Sequence, residues 1–154
     1  MSEKILFYRA NEVPYGPFGN FDTQHPITLN GKLWRSVEHY FQAQKFVGTE
    51  HEEAVRTADK PRDAAAMGRD RNRPLRADWE TVKDDIMREA VRAKFTQYPA
   101  LRYLLIETGD AELVEHTTND HYWADGGDGT GKNMLGKILM EIREELRIIP
   151  APQT

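Results

Sequence analysis

Ser36-Val37-Glu38-His39-Tyr40-Phe41-Gln42-Ala43-Gln44-Lys45 is the stretch on which the reading of this chain turns. Ser36 is a strong helix N-cap and Gly48 a strong stop, so the pair brackets a helix of about three turns. Val37, Tyr40, Phe41 and Gln44 share one side, a largely apolar stripe. Glu38, Gln42 and Lys45 stand at i, i+4 and i+7, within about 60° of one another on a helical wheel. Because the apolar stripe flanks this acid–amide–amine row, part of the row is expected near the core. On the helix alone two readings stay open: the wall of a polar pocket, or a surface row with a weak Glu–Lys attraction.

Working outward, Ile27-Thr28-Leu29 and Lys32-Leu33-Trp34 flank Asn30-Gly31, the dipeptide best suited to a type I′ turn, and predict a hairpin that delivers the chain to Ser36. Residues 4–8 are a short β-prone run, and residues 14–21, dense in turn formers and aromatics, read as a fixed loop. Downstream, Thr49 with Glu52 forms a capping-box pattern for a helix over about 50–58. Asp59 is expected to cap the next, with Pro61 in its first turn and Gly68 as its stop. Asp78 is expected to cap the longest helix, 79–97, with Trp79, Val82, Ile86, Ala90 and Ala93 inward and Met87 and Phe95 at the margins. Pro99 ends that helix; another follows over 100–108 to Gly109, then a strand over 112–115 and a last amphipathic helix from near Asn133. The pattern predicts an α+β fold, a mainly helical single domain over residues 1–150 with a small β-hairpin and sheet component, and a short tail at 151–154.

The 154 residues carry a net charge of −4, 30% charged and 39% hydrophobic residues, and no cysteine. That composition suits a globular protein and excludes a disulfide framework and thiolate chemistry. It argues against general nucleic-acid coating. The N-terminal run is neither a signal peptide nor a membrane span, so a cytoplasmic protein without a membrane partner is expected.

Several stretches carry possible chemistry. Residues 69–76 hold four arginines, Arg69, Arg71, Arg73 and Arg76, which form either a solvated loop or an anion clamp. Gly126-Gly127-Asp128-Gly129-Thr130-Gly131-Lys132 opens a helix, a common way to present backbone N–H groups to phosphate. It satisfies G-x-x-x-x-G-K, yet Asn133 stands where a P-loop needs Ser or Thr for magnesium. The spacing of Asp120, Asp125 and Asp128 does not fit a calcium loop, and the five histidines show no zinc pattern, so no metal and no cofactor are expected. Phe18, Phe21, Trp79, Tyr122 and Trp123 are able to stack on a base, although Trp79 and Trp123 are residues more often found simply as core. Together these are parts for binding a phosphorylated, sugar-containing ligand.

In combination the segments resemble the NADAR family, the YbiA-like N-glycosidases, over nearly the whole chain. The resemblance is carried by Gly19-Asn20-Phe21, Trp34, the run from Ser36 to Lys45, Ala66-Met67-Gly68-Arg69 and Trp79. It continues in Asp120-His121-Tyr122-Trp123-Ala124-Asp125-Gly126-Gly127 and Gly131-Lys132-Asn133-Met134-Leu135-Gly136. One departure is Ala124, where the family usually carries Gly. If that backbone needs φ > 0 the alanine costs stability, and otherwise it is neutral. The resemblance implies hydrolysis of an N-glycosidic bond at a ribose carbon. The implied substrates are phosphoribosylamino intermediates of riboflavin biosynthesis or ADP-ribose on a nucleobase such as guanine in nucleic acid. A module that binds such ligands without turnover is the rival. In this reading Glu38 is the first catalytic candidate, Lys45 a phosphate ligand or Schiff-base nucleophile, and Asp120 and Asp125 second carboxylates. Trp79, Tyr122 and Trp123 stack on the base, and Arg69, Lys132 and the glycine loop with Gly126 and Gly127 hold phosphate. Asn20, Phe21, Gln42 and Asn133 complete the implied substrate contacts. The oligomeric state stays open.

Overall fold

The computed structural model describes residues 3–149, so the expected tail at 151–154 lies outside the described residues. In chain order the elements are β1 (Lys4–Phe7), β2 (Ile27–Leu29), β3 (Lys32–Trp34), α1 (Val37–Gln44), α2 (Glu50–Arg56), α3 (Pro61–Arg69), α4 (Trp79–Gln97), α5 (Pro99–Glu107), β4 (Glu112–Glu115) and α6 (Met134–Ile148), with one 3-10 turn at Gly16–Phe18. This is the expected α+β fold, helices dominating and strands few. No helix among the described residues is long and apolar enough to cross a membrane. The chain forms two compact units: Asn20–Lys94, and a second built from the residues up to Gly19 and from Phe95 onward.

In the Asn20–Lys94 unit, β2 and β3 form the expected antiparallel hairpin, in register Ile27↔Trp34 and Leu29↔Lys32. Asn30 at φ 55° and Gly31 at φ 75° supply the two positive dihedrals of a type I′ turn. Trp34 is buried and meets Tyr40 of α1 edge to face at 5.0 Å. Helices α2 and α3 pack on α1. Ser36 caps α1 as expected, its hydroxyl accepting the His39 N–H at 3.1 Å. The α-helix proper ends at Gln44, a turn earlier than Gly48 implied. Lys45, Phe46 and Val47 continue it with tighter i→i−3 bonds, and Gly48 turns the chain at φ 81°.

Two boundary expectations are corrected, and a third holds through the backbone rather than the side chain. Lys60, not Asp59, is the N-cap of α3, and it caps without a side-chain bond because Pro61 at the first position already removes one donor. Gly68 lies inside α3 rather than stopping it, for a packing reason given below. Asp78 opens α4 through its backbone carbonyl, which accepts from Thr81 and Val82, while its carboxylate is held by Arg76 at 2.6 Å. The inward face of α4 is the expected one in part, with Trp79, Ala90 and Ala93 buried as predicted. Met87, Ala90, Val91, Ala93, Lys94 and Phe95 are buried, whereas Val82 and Ile86 are half-buried. The buried face is broader toward the C-terminal end than the apolar pattern implies, because a lysine belongs to it.

In the other unit β1 and β4 pair in parallel, Lys4↔Glu112 through Phe7↔Glu115, a pairing invisible in local sequence. The far edge of β4 is closed by the Asp125 N–H, which donates to the Glu115 carbonyl at 2.9 Å, and by one side chain. Asn133 Oδ1 accepts the Glu115 N–H at 3.0 Å and its Nδ2 donates to the Leu113 carbonyl at 2.9 Å, standing in for a third strand. Asn133 does this from a left-handed backbone, φ 53°, which asparagine tolerates better than most residues. Helix α6 buries Leu135, Ile138, Leu139, Ile142 and Leu146, the face its periodicity predicts, and packs on β4 and α5. The approach is close at Gly136, where a Cβ would lie 2.0 Å from the Leu113 carbonyl oxygen and 2.4 Å from Asn133 Nδ2. Gly136→Ala is therefore expected to destabilise by about 1–3 kcal/mol, backbone crowding outweighing the better helix propensity of alanine. A fall in the urea midpoint reads this out, and an unchanged or raised midpoint would contradict it.

Candidate active site

The polar row of α1 lies in the interior. Every residue of α1 is buried; Glu38 is 8% exposed, Gln42 7% and Lys45 9%. The surface-row reading is excluded, and ionisable groups so placed need partners or a function. Gln42 Nε2 donates to Glu38 Oε2 at 2.8 Å, and the Glu38 backbone N–H donates to the Asn20 carbonyl at 3.1 Å. That bond ties the Gly-Asn-Phe segment to the start of α1. Asn20 also turns its side-chain amide toward Met87 sulfur at 3.5 Å, while Phe21 is largely exposed.

Lys45 Nζ donates to the Gly68 carbonyl at 3.3 Å and sits 5.6 Å from the centroid of the Trp79 ring. Trp79 itself is buried and meets Phe41 at 5.0 Å. Burial holds the Lys45 ammonium down to about 8, and Arg71 and Arg69 push the same way against the pull of Glu38 and Glu80. A fraction of the amine is therefore neutral near neutral pH, which an ordinary lysine does not offer. His39, between Glu38 and Tyr40, is structural. Burial keeps it below its ordinary pKa, and its ring lies 2.7 Å from Ser36 Oγ and 3.0 Å from the Ala58 carbonyl.

The arginine loop divides. Arg76 is held by Asp78 and the Gln44 carbonyl, Arg73 by His51 and Asp70, and Arg71 by the Gly68 carbonyl. Arg69 is exposed and forms no ion pair among the described residues, so it is the cation of this loop best placed to meet an anion.

In the unit that carries residues 120–133 several expected site residues are held in local hydrogen bonds. Asp125 is buried and fully engaged: Oδ2 lies 2.7 Å from His116 Nδ1, and Oδ1 accepts the N–H groups of Gly127 at 2.8 Å and Thr117 at 3.2 Å. Burial pulls its pKa up, but His116 and the two N–H groups outweigh this and hold it below the ordinary value. Asp120 Oδ1 accepts the N–H groups of Tyr122 and Trp123 at 2.8 and 2.7 Å, an Asx-type turn. Both aspartates shape the loop.

The glycine N–H groups that an anion nest would use are taken up within the loop itself. The N–H groups of Gly126, Gly127, Gly129 and Gly131 bond to Asp120 and Asp125. Those of Lys132, Asn133, Met134 and Leu135 donate to the carbonyls of His121, Ala124, Tyr122 and Trp123 at 2.8–3.0 Å. The donors that a helix start usually leaves open are thus satisfied within the loop. Gly126 (φ 74°) and Gly127 (φ 84°) are required by backbone conformation and by the His121 ring and Thr118, which a Cβ would strike. Ala124 is fully buried and is not among the residues with positive φ, so alanine there carries no backbone strain. Side chains remain for a ligand: Tyr122 and Trp123 stand half-buried and edge to face at 4.9 Å, and Lys132 Nζ is 5.4 Å from the Tyr122 ring centroid.

Sequence reasoning missed a buried triad in the Asn20–Lys94 unit. Lys94 and Asp22, 2% and 3% exposed, pair at 3.1 Å, and Asp22 also holds His25 Nδ1 at 2.7 Å. Asp22 follows directly on the Gly-Asn-Phe segment, so the triad anchors the stretch that reaches Glu38. A lysine inside an otherwise apolar helical face was the available signal.

The chain and its fold have clear counterparts among known proteins. The NADAR domain profile matches residues 6–147. The chain is 52% identical over 148 residues to N-glycosidase YbiA of Escherichia coli, covering 96% of this chain and 92% of that one. It is 43% identical to a riboflavin biosynthesis protein of Vibrio vulnificus, matching 96% of this chain and 40% of that longer one. The NMR structure of Escherichia coli YbiA superposes with a TM-score of 0.87 at 53% identity, over 96% of this chain and 88% of that one. With its family profile, its relatives and its fold in agreement, the chain belongs to the NADAR domain family.

Proposed function

We propose that this enzyme, a hydrolase of N-glycosyl bonds like its named relatives, cleaves the bond between ribose 5-phosphate and the exocyclic nitrogen of an aminopyrimidine, an intermediate of riboflavin biosynthesis. The single observation that carries the reading is the buried Glu38–Gln42 pair with a depressed-pKa lysine on the same helix. The riboflavin-named relative supports the choice of substrate.

Breaking a C1′–N bond places positive charge on the ribose ring, which a carboxylate at C1′ stabilises. Glu38 fills that role or takes the proton from the attacking water. Lys45 fits attack on the ring-opened C1′: its neutral amine forms the new C–N bond, the aminopyrimidine leaves with a proton, and water releases ribose 5-phosphate from the Schiff base. Trp79 forms an apolar wall beside that amine, and Arg69 meets the phosphate. Because only the unprotonated amine attacks, activity is expected to rise with pH through about 8 and then level. Borohydride should trap a ribosyl adduct on the parent and none on Lys45→Met. Full turnover by Lys45→Met with no trapped adduct would assign Lys45 to binding alone.

Release of ADP-ribose from guanine in nucleic acid is the alternative substrate class for the same bond type. The test is a competition in which the phosphoribosylamino-pyrimidine and an ADP-ribosylated guanine oligonucleotide are supplied together and both products followed by mass spectrometry. Preferential appearance of ribose 5-phosphate is expected. Preferential appearance of ADP-ribose would overturn the substrate assignment.

A further inference from the structure

We propose that Gln42 is the positioning residue of this centre, and that position 68 carries no side chain so that Gln42 can hold the Glu38 carboxylate in place. The activity readouts rest on the N-glycosidase reading; the geometry does not. Gln42 Nε2 is 2.8 Å from Glu38 Oε2, and the other end of the amide, Oε1, is buried without a hydrogen-bond partner. That orphaned oxygen is pressed against α3. A Cβ on Gly68 would lie 1.8 Å from Oε1, 2.6 Å from Cδ and 3.2 Å from Cβ of Gln42. The amide cannot turn over, since its oxygen would then face the carboxylate. The Gly68 carbonyl also accepts from Lys45 Nζ at 3.3 Å and from Arg71. One glycine therefore sets both ends of the Glu38–Gln42–Lys45 row, through its missing side chain at one end and its carbonyl at the other.

An apolar residue at 42 would fill the space without leaving an acceptor unpaired. What the amide adds is a donor to the ionised form of Glu38, fixing its rotamer and favouring the carboxylate over the acid. Gly68 lies within a helix and is not among the glycines with positive φ, so alanine there meets no backbone objection and its effect reports the contact with Gln42.

The test is a double-mutant cycle of Gly68→Ala and Gln42→Ala, read by the pH profile of kcat/KM and by NMR titration of the Glu38 carboxyl. Gly68→Ala is expected to lower kcat/KM about 100-fold. In the Gln42→Ala background, where the two nearest clashing atoms are gone, the same change should cost less than about threefold. An equal loss in both backgrounds, or a Glu38 titration unmoved by Gln42→Ala, would overturn the proposal. Gln42→Ala introduces no clash, so it decides the matter even where Gly68→Ala fails to fold. The NMR arm needs no turnover, so absence of activity on the chosen substrate would count against the functional reading and leave the positioning claim to be judged on the titration.

Discussion

Glu38→Gln is expected to lower kcat by about 1,000-fold while leaving affinity for ribose 5-phosphate within about threefold. The substitution is nearly isosteric, so α1 keeps its packing. A side-chain oxygen remains to accept from Gln42 Nε2, which stands 2.8 Å from the carboxylate in the parent. What disappears is the negative charge. With it goes the stabilisation of the developing positive charge at C1′, an interaction stronger in the transition state than in the bound substrate. A second consequence follows for Lys45. Glu38 raises the pKa of that amine against the larger lowering effect of burial, so in the variant Lys45 should titrate below its parent value of about 8. Steady-state kinetics, calorimetry with ribose 5-phosphate and NMR of the lysine side chain read the three effects separately. A loss below tenfold would remove Glu38 from the chemistry.

Asp22→Asn is expected to destabilise the protein by about 3–5 kcal/mol, the largest stability effect anticipated for a single polar side chain here. Asp22 and Lys94 are both buried and 3.1 Å apart, so deleting one charge strands the other. Burial already holds Lys94 at about 8, although Asp22 pulls it upward. The unfolded chain, with an ordinary lysine, therefore binds more protons above about 8, and this group's contribution to stability rises with pH across that window. Without Asp22 the folded-state value drops further, and the window opens at lower pH. The penalty of Asp22→Asn should thus be larger at pH 7 than at pH 9, where the amine is neutral in both proteins. Asp22 works in the opposite direction at the acid end. Burial raises its pKa, but Lys94, His25 and the Gln24 N–H bring it below the ordinary value, so its contribution is lost as pH falls through that range. Denaturant unfolding at the two pH values gives the comparison. A penalty that is small and independent of pH would mean the pair is not charged in the fold.

Local chemistry made much of this legible before any coordinates. Asn30-Gly31 demands a type I′ turn, Ser36 demands a helix behind it, and Leu135 to Leu146 repeat at the helical period, and each element stands where those rules put it. The row of Glu38, Gln42 and Lys45 was legible as a row. Whether it faced water was not, because α1 is apolar on one side only and the polar row is met by Gly68 of α3, far away in sequence. The parallel pairing of β1 with β4 joins segments far apart in sequence and leaves no local mark. The same holds for Asn133, whose amide completes the β4 edge, and for Gly68, which reads as a helix stop until Gln42 is placed against it. The glycine loop shows the reverse failure. Its composition matches an anion site, yet its own carbonyls and carboxylates consume the donors that such a site would use.

The claim that the buried α1 row performs N-glycosyl hydrolysis is tested most directly by counting both products of one reaction. Parent protein and Glu38→Gln would each be incubated with the phosphoribosylamino-pyrimidine, and ribose 5-phosphate and free aminopyrimidine quantified by mass spectrometry. Equal amounts of the two are expected from the parent and essentially none from the variant, which still binds ribose 5-phosphate. Equal turnover by both proteins, or binding without products by the parent, would contradict it.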